Sequence, residues 1–165
     1  MTPIRVGILT VSDRSSRGQR DDLSGPAIVS FCAGQGWEVG NTATLPDEQD
    51  QITELLAKWA DAGDLDLIFT SGGTGFAPRD VTPEATLAVL QKRTPGIDEM
   101  VRAHSTQFTP FAALSRATSG IRGHCFILNL PGNPKAVNQV LSLVAPLLPH
   151  AVALLQESPP DIVGH

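Results

Sequence analysis

A chain of 165 residues, 41% hydrophobic and 18% charged, is long enough to bury one real core and too apolar to stay unfolded. Its net charge of −5, with the acids spread along the sequence, argues against a strong electrostatic grip on nucleic acid or an anionic membrane. No apolar run reaches the roughly 18 residues of a membrane span, and the first residues, with Arg5 in mid-run, lack a signal-peptide pattern.

Cys32 and Cys125 lie among apolar neighbours and form no C-x-x-C pair, so two buried free thiols and a cytoplasmic setting are expected. Ile4 to Val11 is apolar and β-branched, the pattern of a strand covered on both faces. A polar loop follows from Ser12 to Ser24, holding Asp13, Arg14, Arg17, Arg20, Asp21 and Asp22. Ser24 reads as an N-cap, with Pro26 in the first turn of a helix reaching about Gly34. Glu38 to Leu45 reads as a second strand. A helix from about Asp47 to Asp61 would show Ile52, Leu55, Leu56, Trp59 and Ala60 on one face.

Asp66 to Thr70 is the third expected strand, and the glycine-rich run Thr70 to Asp80, TSGGTGFAPRD, leaves its end. Thr82-Pro83 opens another helix, with threonine as cap and proline at the first helical position. Thr94-Pro95-Gly96 breaks it, and a further helix covers Ile97 to about Ser105. Residues 106–117 carry no clear pattern. Ser119 to Arg122 and Cys125 to Leu130 read as an antiparallel pair joined at Gly123-His124. Asn133-Pro134 repeats the cap-plus-proline signature before an apolar helix running to Leu155, which Pro146 and Pro149 should kink or restart. Residues 1–157 are expected to form one domain and Ser158 to His165 a disordered tail.

Alternating strands and helices predict an α/β fold, a sandwich with helices on both faces of a mostly parallel mixed sheet with one antiparallel strand. Ligands bind such sheets beyond the carboxyl ends of the strands. The loops from Ser12, Ser71 and Pro131, and Asp47 after the second strand, would share that rim.

Ser71-Gly72-Gly73-Thr74-Gly75 offers backbone N–H groups free of obstructing side chains, a concave row suited to phosphate. It is neither a Walker A loop nor G-x-G-x-x-G. Asp47 and Asp80 are the acids of interest, since carboxylates beside phosphates can share Mg²⁺ with them. The same residues also admit plain roles: Asp47 as a helix cap, Asp80 in a turn or paired with Arg79. Arg79, Arg116 and Lys135 are candidate anion holders. His104, His124, His150 and His165 show no ligand spacing.

The run Thr70 to Thr86, TSGGTGFAPRDVTPEAT, closely resembles the signature of the molybdopterin adenylyltransferase family, of the MogA/MoaB type, related to the G domain of gephyrin. Val11 to Arg14, Leu45 to Glu48, Leu114 to Arg116 and Asn129 to Lys135 match further family blocks in order. The resemblance spans Ile4 to about Leu155. It implies a three-layer α/β/α sandwich, a homotrimer, and transfer of AMP from Mg-ATP to the terminal phosphate of molybdopterin with release of pyrophosphate. It implies contact with a downstream protein that inserts molybdate. By matching position, Asp47 and Asp80 fall on the family's catalytic and metal-binding aspartates. Gly72, Gly73, Thr74 and Gly75, with Ser12 and Asp13, fall on its nucleotide and phosphate site. Ser115, Arg116, Pro131, Gly132, Asn133, Pro134 and Lys135 fall on its substrate pocket. The resemblance leaves a second reading open, a module that binds molybdopterin without adenylylating it.

Overall fold

The apolar run that opens the chain becomes the second strand of a twisted sheet in the computed structural model, which describes residues 2–157. The elements in chain order are β1 (Arg5–Val11), α1 (Asp13–Ser16), α2 (Ser24–Gln35), β2 (Glu38–Leu45), α3 (Gln49–Asp61), β3 (Leu67–Ser71) and α4 (Thr82–Val89). There follow β4 (Lys92–Arg93), α5 (Pro95–Ser105), a 3-10 turn (Pro110–Leu114), β5 (Ser119–Arg122), β6 (Cys125–Leu130), α6 (Pro134–Val144) and α7 (Leu148–Leu155). Among the described residues the sheet order is β2-β1-β3-β6-β5-β4. β2, β1, β3 and β6 run parallel, and β5 alone runs against its neighbours on both sides. The expected α/β architecture and its antiparallel hairpin are therefore present.

Each central strand is apolar on both faces because helices cover both. Val6 and Ile8 of β1, Phe69 of β3 and Leu128 of β6 pack against Ile28, Val140 and Leu141 of α2 and α6. Leu9 and Val11 of β1, Ile68 and Ile127 face the other way, onto Ile52, Leu56 and Trp59 of α3 and Ala85 and Val89 of α4. Those α3 residues belong to the stripe that the sequence marks out. Cys32 and Cys125 are buried and free, and burial pushes their thiols up to about 11 and about 12. Among the described residues no single helix is long and apolar enough to cross a membrane.

Three expected caps find other partners. The Ser24 hydroxyl donates to the carbonyl of Gly132 (2.9 Å), while Asp22 accepts the Gly25 amide (2.9 Å) and so serves the start of α2. Thr82 lies inside α4 and its hydroxyl donates to the carbonyl of Gly72 (2.9 Å). α3 begins at Gln49, so Asp47 stays outside it. The Asn133 cap is present, accepting the Ala136 amide at 2.9 Å. Pro95 opens α5 rather than merely ending what precedes it, since its fixed φ suits a first helical turn. The chain bends by 64° between α6 and α7, across Pro146, and Pro149 sits in the first turn of α7. Residues 106–117 hold the 3-10 turn, which has no buried residue. The tail expected at Ser158 to His165 lies outside the described residues.

Asp98 of α5 is a buried acid that accepts hydrogen bonds from the hydroxyls of Ser119 (2.6 Å) and Thr118 (3.2 Å). Burial raises its pKa, and the two hydroxyls and the charges of Arg102 and Arg93 only partly oppose that rise. A raised carboxyl stabilises the fold fully below its unfolded value of about 4 and loses that contribution as pH rises through the folded value. Asp98→Asn removes the ionisation. Relative to wild type, its melting temperature should therefore rise as the pH climbs above about 4 in a paired thermal melt.

Candidate active site

The rim is built around β3 and the loop that leaves it. Buried Asn129 of β6 donates through Nδ2 to the hydroxyls of Thr70 and Thr86 (2.9 Å each) and accepts the Thr118 amide (3.1 Å). It thereby ties β3, α4 and the segment before β5 into one frame. The Ser71 hydroxyl donates to the carbonyl of Pro131 (2.7 Å), which joins the glycine loop to the loop after β6.

Gly72 and Gly73 take φ of 97° and 69°, a region that side chains strongly disfavour. A β-carbon on Gly72 would lie 2.3 Å from the carbonyl oxygen of Val11. One on Gly73 would lie 2.4 Å from Thr82 Oγ1 and 2.9 Å from Asp47 Oδ1. The loop's amides divide evenly. Gly72 N–H is spent on the Leu130 carbonyl (3.3 Å) and Gly75 N–H on Asp80 Oδ2 (3.1 Å). Among the described residues Gly73 and Thr74 N–H have no protein acceptor, so the loop leaves two donors there, fewer than the glycine count suggests.

Asp47 Oδ2 accepts the Asp13 amide (2.9 Å), and Asp13 Oδ1 accepts the Asp47 amide (3.0 Å). Arg79 grips the same Asp13 carboxylate through Nε and Nη2 (3.0 and 2.9 Å) and reaches Glu48 with Nη2 (2.8 Å). The Arg79 guanidinium holds the Asp13 carboxyl down at about 2. Burial raises Asp47, and the nearby charges of Asp13 and Asp80 add to the rise against the Asp13 amide. Asp80 does form the turn that its sequence position admits, since its Oδ2 accepts the amides of Gly75 and Ala77 (3.1 Å each). It makes no pair with Arg79. Asp47 Oδ1 and Asp80 Oδ1 remain without protein hydrogen bonds among the described residues.

Both acids line a polar cavity of about 210 Å³ together with Ser12, Gly72, Gly73 and Gly132. Arg20, Asp21 and Asp22 also line it, so its ionisable walls carry four carboxylates against one guanidinium. Asp22 spends both oxygens on the Gly25 amide and the Thr10 hydroxyl. A polyphosphate entering such a cavity needs a cation. The two free oxygens of Asp47 and Asp80 fit Mg²⁺, a hard ion that takes one or two carboxylates and completes its shell with water and substrate phosphate.

A second cavity of about 310 Å³ lies across the shared wall of Gly132 and is lined by Thr74, Gly75, Ser115, Pro131 and Asn133. Arg102, Phe111 and Gln139 also line it, with Phe111 75% exposed.

The expected site residues thus gather, with three reassignments. Asp13 lines neither cavity, and its carboxylate is engaged by Arg79 and the Asp47 amide. Arg116 donates to the carbonyls of Gly75 (2.8 Å) and Asp80 (2.9 Å) and pairs with Glu84, bracing the loop from behind. Lys135 lines neither cavity, although its neighbour Pro134 lines the first. The sequence reading missed Arg20, Asp22, Arg102, Phe111 and Gln139 as cavity residues. Arg20 and Asp22 had a signal, since they sit in the polar loop that leaves a strand's carboxyl end. Phe111 had none, lying in a segment without pattern.

A mostly parallel sheet whose carboxyl rim holds two acids beside a glycine loop is an α/β arrangement of a kind suited to phosphate. Residues 7–150 match the family described as "Probable molybdopterin binding domain". The chain is 41% identical over 162 residues to the molybdopterin adenylyltransferase of Helicobacter pylori strain J99, covering 94% of this chain and 89% of that protein. It is 44% identical over 159 residues to the molybdenum cofactor synthesis protein cinnamon of Drosophila melanogaster, covering 94% of this chain and 26% of that longer protein. It superposes with a TM-score of 0.88 on the molybdopterin biosynthesis enzyme MoaB of Thermus thermophilus, at 49% identity, covering 94% and 98% of the two chains. The chain belongs to the molybdopterin-binding family of molybdenum cofactor biosynthesis.

The two glycines separate fold from site. Gly72→Ala should cost about 2–4 kcal/mol in urea denaturation, because its β-carbon meets backbone that cannot move aside. Gly73→Ala should cost only about 1–2 kcal/mol, because the atoms it meets are side-chain oxygens. It should nonetheless weaken calorimetric binding of magnesium pyrophosphate by about tenfold or more, a displacement effect on Asp47 of about 1.4 kcal/mol.

Proposed function

We propose that this chain is a molybdopterin adenylyltransferase, transferring AMP from Mg-ATP to the terminal phosphate of molybdopterin and releasing pyrophosphate. The observation that carries this reading is the pair Asp47 and Asp80, each with one free oxygen on the same cavity as the unpaired amide of Gly73. Its kinship with an enzyme named for this reaction supports it.

In the transfer, an oxygen of the molybdopterin phosphate bonds to the α-phosphorus of ATP as the bond from that phosphorus to the pyrophosphate oxygen breaks. The nucleophile is already an anion, so no strong base is needed. Positioning and charge stabilisation carry the catalysis. Asp47 and Asp80 would hold the magnesium, which neutralises charge on the departing pyrophosphate. The amide of Gly73 binds a phosphate oxygen, and Arg20 is the cation at the cavity wall. The shared wall at Gly132 sets the two cavities side by side, so the phosphates lie in the polar one and a planar ring enters the other, beside Phe111.

The same reading includes a homotrimer, a cytoplasmic setting and contact with the protein that inserts molybdate. The family resemblance supports the assembly and the contact, and the two buried free thiols support a reducing compartment. Light scattering of the purified chain checks the trimer.

Asp47→Asn tests the centre of the proposal. The side chain caps no helix, and asparagine can still accept the Asp13 amide, so the melting temperature should barely move. Loss of the charge should lower turnover by about 10², near 2.7 kcal/mol of transition-state stabilisation. The assay is formation of adenylylated pterin from molybdopterin, ATP and Mg²⁺, and excess EDTA should abolish it. A wild-type chain that retains molybdopterin but releases no pyrophosphate would instead be a binding module.

A further inference from the structure

Arg79 sits one residue before Asp80, in the loop between β3 and α4. Its fork closes on Asp13, which opens α1 just after β1, and its Nη2 also reaches Glu48, after β2. Asp13 is in turn locked to Asp47 by the two reciprocal backbone-to-carboxylate bonds. One guanidinium therefore stitches the loops leaving three neighbouring parallel strands, and the two acids of the site lie on two of those loops.

The side chain of Arg79 is 53% exposed, and Glu48 49%. Exposed ion pairs contribute little to global stability. The arrangement thus does little for the fold as a whole. Arg79 also lines neither cavity, and its donors point at carboxylates, so it does not serve as the anion holder that its sequence position suggests. What the contacts do accomplish is geometric. Asp13 can hold the Asp47 backbone only while its own carboxylate stays in place, and the bidentate grip of Arg79 sets that carboxylate's plane. Without it, Asp13 and Glu48 would each lose the guanidinium they pair with.

We propose that Arg79 is a positioning residue for the transfer: acting through Asp13, it fixes Asp47 relative to Asp80. The inference rests on the reading of Asp47 and Asp80 as the working acid pair. Lysine in its place would keep the charge but lose the fork.

The test uses the full chain and the variants Arg79→Ala, Arg79→Lys, Asp13→Asn and the double variant Arg79→Ala/Asp13→Asn. Amide hydrogen exchange is measured in the metal-free protein, and kcat and KM for molybdopterin in the adenylylation assay. In Arg79→Ala the Asp13 and Asp47 amides should exchange about tenfold faster or more, while those of β3 stay unchanged and the melting temperature falls by no more than about 3 °C. The kcat should fall about tenfold or more with KM nearly constant, since misplacement of about 1 Å can cost up to 10² in rate. Arg79→Lys should recover little of the loss, and the double variant should be no worse than Asp13→Asn alone. Unchanged kcat in Arg79→Ala overturns the proposal. So does a lost kcat with unchanged exchange at Asp13 and Asp47, which would mean that Arg79 acts on the ligand directly. If the wild-type chain makes no adenylylated pterin, the transfer reading fails by itself. Affinity for Mn²⁺ in the presence of ATP then replaces kcat as the readout, with the same two outcomes: a weakening of about tenfold sustains the strap and an unchanged affinity overturns it.

Discussion

Gly72 lies where three chain segments touch, and the site depends on that contact. Its amide donates to Leu130 at the end of β6, its carbonyl accepts the Thr82 hydroxyl, and a β-carbon would press to 2.3 Å from the Val11 carbonyl at the end of β1. Gly132, from the loop after β6, approaches the same α-carbon: its own β-carbon would lie 3.5 Å away. Only bare backbone lets the carboxyl ends of β1, β3 and β6 crowd this closely. The crowding turns Gly73 outward beside Asp47 and puts Gly132 on the wall between two cavities. The glycines thus serve close packing first, and two unpaired amides remain as a consequence of the turn.

Charge follows from that geometry. Bringing the loops together brings Asp13, Asp47, Glu48 and Asp80 to one rim. Two of these acids meet an arginine, and the other two keep a free oxygen each. The raised pKa of Asp47, set first by burial and then by its acidic neighbours, and the depressed one of Asp13 are two sides of this division. Asp13 is satisfied by its arginine; Asp47 keeps one oxygen without a protein hydrogen bond among the described residues. Arg116 completes the frame from behind, where it grips the carbonyls on either side of the turn that Asp80 closes. A transfer that begins from an anionic nucleophile asks the protein for this kind of arrangement, fixed dipoles and a place for a cation, more than for an acid or base of tuned strength.

Much of the chain's organisation was legible because its causes are local. The strand runs at Ile4 to Val11 and Asp66 to Thr70, the i, i+3, i+4 stripe of α3, the turn at Gly123-His124 and the Asn133-Pro134 cap each depend on residues within a few positions of one another. The errors fell where a side chain had a distant alternative. Ser24 and Thr82 both have the type and place of caps. In the folded chain each hydroxyl sits against a carbonyl from another loop, 108 residues away for Ser24 and 10 for Thr82.

By itself the sequence determined the alternating α/β order, the rim on which a site could lie, the acids Asp47 and Asp80, and the family. These follow from periodicity, turn chemistry and one contiguous run of motif. Tertiary structure alone decided which polar groups are spent and which are free. Asp13 and Arg79 are 66 residues apart, Asp13 and Asp47 34 apart, and Arg116 and Gly75 41 apart. A carboxylate or guanidinium goes to whichever partner the fold sets within about 3 Å, and spacing along the chain does not encode that distance.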